Sequence, residues 1–79
     1  MMPDQLITLF ADVLHIDEAR LDEDSSPDSI EEWDSVAAMT LMAAFEHTFS
    51  IRLTTRDFLT MRSIASVREV LRKKGVADV

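Results

Sequence analysis

Cysteine is absent from the 79 residues, so the chain has no disulfide framework and no protein thiol for redox or nucleophilic work. Two histidines without a cysteine also exclude the common zinc arrangements. Glycine occurs once, at Gly75, which leaves no glycine-rich turn or nucleophile elbow around which an oxyanion hole could be built. Ser35, His15 and any of several acids can be drawn as a triad, but nothing in the sequence orients them, and the chain is expected not to be an enzyme. No apolar run reaches the roughly eighteen residues of a membrane span, and the first residues lack the basic start of a signal peptide. A cytoplasmic protein is the expectation. Positive charge is scarce: eight Lys and Arg against fifteen Asp and Glu give a net charge of −7, the wrong sign for nucleic acid. At this length a single domain over 1–79 is expected, with a core too small to enclose a sizeable catalytic cavity.

Acidic residues are present in excess, and they are concentrated. Residues 17–34 hold nine acids and one base, a local charge of −8. Residues 50–79 hold seven bases and three acids, a local charge of +4. Basic partners are therefore steered towards the first of these segments.

Helical periodicity organises the rest. Leu6, Phe10 and Val13 recur at i, i+4 and i+7 with Ile7 and Leu14 beside them, which predicts a first helix over about 4–15 with Pro3 in its first turn. An acidic loop follows over 16–34, broken by Pro27 and pinned by Ile16, Leu21, Ile30 and Trp33. A second helix is predicted over about 35–49. Its interior VAAMTLMAAF is apolar on nearly every side, the pattern of a central helix. Leu41, Met42, Phe45 and Phe49 share one face; Val36, Thr40, Ala43 and His47 share another. Thr54 caps a short helix over about 55–60 with Asp57 as its third residue. Ser63 caps a last helix over about 64–74, with Ile64, Val67 and Leu71 inward, basic residues in its final turn and Gly75 as terminator. The fold class is all-α, a small bundle of three main helices plus one short helix, expected to be monomeric.

Two candidate sites fail on residue type. In a calcium-loop register starting at Asp22, the ligands would be Asp22, Asp24, Ser26 and Asp28. That register puts Pro27 where the loop needs glycine and Trp33 where it needs a bidentate Glu, so no metal is expected. Asp34-Ser35 taken alone is what a helix cap looks like. Its setting gives it weight, because the pair follows the acidic loop, opens the most apolar helix and lies near the middle of the chain.

The stretch EEWDSVAAMTLMAAFEHTFSIRL, Glu31–Leu53, resembles the acyl carrier protein family, and the likeness extends from Leu6 to about Leu71. The residues that carry it are Asp34 and Ser35, the aliphatic Val36, the apolar Leu41 and Met42, then Glu46 and Phe49. The EWDS form looks most like stand-alone carriers of specialised pathways, some of them aminoacyl carriers. The resemblance implies a phosphopantetheine arm, taken from coenzyme A and joined to Ser35 by a phosphopantetheinyl transferase that recognises the adjacent Asp34. It also implies an acyl- or aminoacyl-activating ligase and downstream acyltransferases or modifying enzymes as partners. Fatty acyl, polyketide and aminoacyl cargo all remain open. Fatty-acid carriers typically show several acids along the second helix. Ala37, Thr40, His47 and Thr48 stand there instead, so contact with a partner is expected through Val36, Met39, Thr40 and Ala43. The alternative is a helical adaptor without a cofactor, in which Ser35 serves only as a helix cap.

Overall fold

A computed structural model describes residues 4–77 and 79. Pro3, expected in the first turn of the first helix, lies outside the described residues. Asp4 is the N-cap of α1 (Gln5–Leu14), its carboxylate accepting the N–H groups of Leu6 and Ile7 at 3.1 and 3.3 Å. These are two of the four donors that a helix start leaves without partners. Leu6, Phe10 and Leu14 fall on one stripe and are buried. The helix closes at His15 in the left-handed conformation, φ 58°, where the Ile16 N–H donates to the Ala11 carbonyl. The acidic loop then makes one short 3-10 turn, Glu18–Arg20.

The remaining helices are α2 (Ser35–Phe49), α3 (Thr55–Thr60) and α4 (Ile64–Lys73). Among the described residues the protein is all-helical, three main helices and a short one, with α1 packed on α2 and α3 on α4. Thr54 and Asp57 form a reciprocal capping box at α3, and Ser63 with Ser66 does the same at α4. Gly75, at φ +91°, ends α4: its own N–H reaches the Arg72 carbonyl while that of Val76 reaches Leu71. A side chain there would force an uncommon backbone conformation, which is why glycine suits the position.

The core joins α1, α2 and α4 through Leu6, Phe10, Leu41, Phe45, Ile64, Val67 and Leu71, each at most 2 % exposed. Burying each such side chain contributes about 1.5–3 kcal/mol relative to exposure. Trp33 is wholly in this core. Its ring meets Phe10 edge-on at 4.9 Å, and Phe10 meets Phe45 at 5.6 Å, so Phe10 ties the loop to α2.

The second helix departs from the expectation of a central helix. Leu41 and Phe45 are its only buried residues, and Val36 and Met39 are 74 % and 69 % exposed. With so few helices, the bundle covers one side of α2 and leaves the other to water.

The loop is ordered by the last helix. The N–H groups of Ile64 and Ala65 donate to the carbonyls of Ser25 and Glu23, both at 3.0 Å. Ser66 N–H goes to the Ser63 hydroxyl and Val67 N–H to the Ser63 carbonyl, so the first turn of α4 has no free donor. Buried Ser25 shapes the loop for this, its hydroxyl accepting the Asp22 N–H at 2.9 Å. Arg68 adds a side-chain clamp, binding Glu23 at 2.7 Å and Asp4 at 2.8 Å.

Candidate functional site

Asp34 has extended backbone, φ −98° and ψ −173°, and its carboxylate accepts the Ala37 N–H at 2.8 Å. Its own carbonyl accepts the Ala38 N–H at 2.8 Å, which starts the helix. Asp34 is therefore the cap, and Ser35 is the first helical residue. This removes the premise of the adaptor alternative, which needed Ser35 in the capping role. The Ser35 side chain is exposed, and its hydroxyl makes no hydrogen bond among the described residues. The N–H groups of Ser35 and Val36 likewise have no partner among them, and both lie in the positive end of the helix dipole.

The serine stands at the edge of an open groove of about 320 Å³ bounded by Pro27, Trp33, Asp34, Ala38 and Phe58. Pro27, Trp33, Ala38 and Phe58 also border a second hollow that extends to Leu59, Met61 and Arg62. Loop, α2 and α3 thus frame one continuous trough beginning at Ser35. The loop is fixed there because Trp33 and Ile30 are buried and because Ser25 and Glu23 are bonded to α4. Trp33, expected to pin the loop, is buried and also borders the groove beside the helix start. Pro27, Ala38 and Phe58 were not singled out from sequence; nothing local to them signals that they meet.

Val36, Met39, Thr40 and Ala43 are all exposed along α2, on the side away from Leu41 and Phe45. Glu46, the one acid that matches the carrier pattern on this helix, is turned to a structural task. Its carboxylate accepts the Leu53 N–H at 2.8 Å and fastens the turn between α2 and α3. Of Asp22, Asp24, Ser26 and Asp28, the first and third turn their side chains to local turns: Asp22 accepts the Asp24 N–H and the Ser26 hydroxyl accepts that of Asp28. No group of three or more potential metal ligands converges among the described residues.

Residues 4–71 match the sequence model of a family described as a phosphopantetheine attachment site. The chain belongs to that family. It is a phosphopantetheine-dependent carrier protein, and its prosthetic group is attached covalently. The fold agrees with a solved structure, the solution structure of a holo acyl carrier protein from Geobacter metallireducens. The two superpose with a TM-score of 0.81 at 24 % identity, over 92 % of this chain and 86 % of the other. No curated relative matches the chain. Carriers of this family interact with phosphopantetheinyl transferases and acyl-processing enzymes. None of the described helices is long and apolar enough to cross a membrane.

The residues at the start of α2 fit such an arm. The exposed Ser35 hydroxyl would accept the ester link, and a phosphodiester there would meet two N–H groups that have no partner among the described residues, at the positive end of a fifteen-residue helix. The trough beside it is apolar at Trp33, Ala38 and Phe58 and polar at its margins. The arm contributes the thiol that a chain without cysteine lacks, and with it the capacity to hold an acyl group as a thioester.

Proposed function

We propose that Ser35 is the attachment point of phosphopantetheine, with Asp34 presenting it to the transferase, and that the chain carries acyl or aminoacyl groups within a specialised biosynthetic pathway. The observation that carries this reading is the division of labour at the helix start: Asp34 supplies the cap, so the Ser35 hydroxyl is left exposed and unbonded. The protein itself catalyses nothing. It works in the cytoplasm as a monomer, presenting its thioester to an activating ligase that loads it and to transferases or modifying enzymes that consume it. Those enzymes contact Val36, Met39, Thr40 and Ala43, the exposed side of α2. Asp34 has a second use beside its cap, since its outer carboxylate oxygen is available to the transferase or its magnesium ion.

The test is intact-mass measurement after incubation with coenzyme A and a broad-range transferase, followed by peptide mapping. One phosphopantetheine should be added, on the peptide containing Ser35, and Ser35→Ala should abolish the addition. Addition at another serine, or none with several transferases, would overturn the assignment.

A further inference from the structure

Trp33 stands where two spaces meet. It borders the trough that begins at Ser35, opposite Phe58 and Ala38. It also lines a narrow space between the helices, together with Leu41, Phe45, Met61 and Val67. That inner space has a volume of about 10 Å³, no more than a single water molecule needs. Trp33 is therefore the partition between the attachment serine and the interior of the bundle.

The partition is held from both directions. The Trp33 N–H donates to the Ile30 carbonyl at 3.0 Å, and the Ile30 N–H donates to that of Ser26 at 2.9 Å, so the loop fixes where the indole enters. Inside, the indole lies against Phe10, which in turn meets Phe45. Phe10 and Phe45 are 0 % and 1 % exposed, so the rings have no open space to swing into. An alkyl chain could enter only by displacing them, and a close-packed interior resists even small additions through strained rotamers and backbone shifts. The trough is a different environment. It is open to water, and its extension is bordered by Asp28 and Arg62, both exposed. A short or polar group keeps its hydration there, whereas a long alkyl tail would leave most of its surface in water.

We infer that Trp33 closes the bundle to the cargo, so that this carrier serves short or polar acyl groups, aminoacyl groups included, and not long alkyl chains. The inference rests on Ser35 as the attachment point, because that is where the cargo is tethered. It narrows the cargo by excluding long fatty acyl groups, for which the bundle has no dry space. Trp33 acts here by shape alone, as a residue that determines specificity.

Loading the protein from acetyl- and octanoyl-coenzyme A with a broad-range transferase tests this. Intact mass is read first: absence of any gain overturns the attachment at Ser35, and the inference with it, before cargo length is compared. The octanoyl form should elute later than the acetyl form from a hydrophobic-interaction column, because its tail stays in water. Their thermal midpoints should agree within about 1 °C, since a tail taken into the interior would raise the midpoint by at least about 4–8 °C. Trp33 is the only tryptophan, so acrylamide quenching of its fluorescence reports its position directly. Quenching should be equally weak in the two forms. Trp33→Leu and Trp33→Ala should open the interior. In either variant the octanoyl form should elute close to the acetyl form and melt at least about 4–8 °C above it. Far-UV circular dichroism establishes folding, and the Leu variant, which leaves the smaller cavity, carries the test where the Ala variant unfolds. Coincident elution of the two native forms with a raised octanoyl midpoint overturns the proposal, as does stronger quenching of Trp33 in the native octanoyl form. A folded variant whose octanoyl tail stays as exposed as in the native protein overturns the assignment to Trp33.

Discussion

Arg68 holds Glu23 through two hydrogen bonds, Nε to Oε1 at 2.9 Å and an Nη to Oε2 at 2.7 Å, across forty-five residues of sequence. The same guanidinium reaches Asp4 at 2.8 Å, so one side chain of α4 ties down the start of α1 and the acidic loop. Its hydrogen bond to Glu23 raises the pKa of Arg68 against the opposing effect of burial, with Asp4 adding to the rise.

The first prediction follows from the exposure of that clamp. The Arg68 side chain is 12 % exposed, although its partners Asp4 and Glu23 are 41 % and 52 % exposed, whereas both members of the Arg20–Glu32 pair face water, at 47 % and 38 %. Hydrogen bonds to charged groups contribute about 1.5–3 kcal/mol each, and surface pairs about 0–1 kcal/mol; the clamp makes several such bonds from one largely buried guanidinium. Arg68→Ala should therefore destabilise by about 2 kcal/mol or more in urea titration, and Arg20→Ala by less than about 1 kcal/mol. Equal losses would mean that the clamp is no stronger than a surface pair.

Acid should weaken the protein through three carboxylates held below their ordinary range. Burial pushes the Asp4 carboxyl upwards, but the Arg68 hydrogen bond and the Ile7 and Leu6 N–H groups outweigh it. A hydrogen bond from Arg20 lowers Glu32, and one from Lys74 lowers Asp57. Each of these groups binds a proton more readily in the unfolded chain, so stability is fully present above the unfolded values, near pH 4, and is lost as pH falls through the lower folded ones. Urea midpoints should be level from about pH 7 to 5 and fall below about pH 4. A midpoint that rises on acidification would contradict this. Relief of repulsion among the remaining acids would then be the larger effect.

Capping and attachment should separate by mutation. Asp34→Ala removes the acceptor for the Ala37 N–H and should cost about 0.5–2 kcal/mol. Ser35→Ala removes an exposed hydroxyl with no partner among the described residues and should change stability by no more than about 0.5 kcal/mol. Thermal unfolding of the unmodified variants measures both. A larger loss for Ser35→Ala would return the cap to the serine.

On α2 the buried and exposed sides should differ as sharply in energy as in geometry. Leu41, 2 % exposed, should lose roughly 2–5 kcal/mol on truncation to Ala. Thr40 is exposed, and its hydroxyl merely donates back to the Val36 carbonyl at 3.1 Å. Thr40→Ala should be within about 0.5 kcal/mol of neutral, since such back-bonding adds little to a helix. Denaturant titration of the pair decides between this helical phase and any other.

What the sequence determined by itself was local. Thr54 with Asp57, Ser63 before Ile64, and Gly75 after the basic turn each satisfy backbone groups within a few residues, so their roles could be read from spacing. The inward side of α2 could be read too, because Leu41 and Phe45 lie four residues apart on one stripe. Two helix ends gave no such signal: His15 and Ser50 take the left-handed conformation without being glycine.

The tertiary structure decided what depends on distant chain segments. No local pattern tells that the carbonyls of Glu23 and Ser25 complete the first turn of α4, or that Arg68 clamps the loop. Nor does any pattern tell that the apolar run of α2 keeps Val36 and Met39 in water, because exposure depends on how many neighbours a small bundle can supply. The choice between Asp34 and Ser35 as the cap turned on a single backbone conformation that adjacent capping residues do not distinguish. Charge followed the same rule. The acids of α2 and α3 could be counted in the sequence, but only folding showed that Glu46 and Asp57 fasten the backbone at Leu53 and Thr54 and that Asp57 pairs with Lys74.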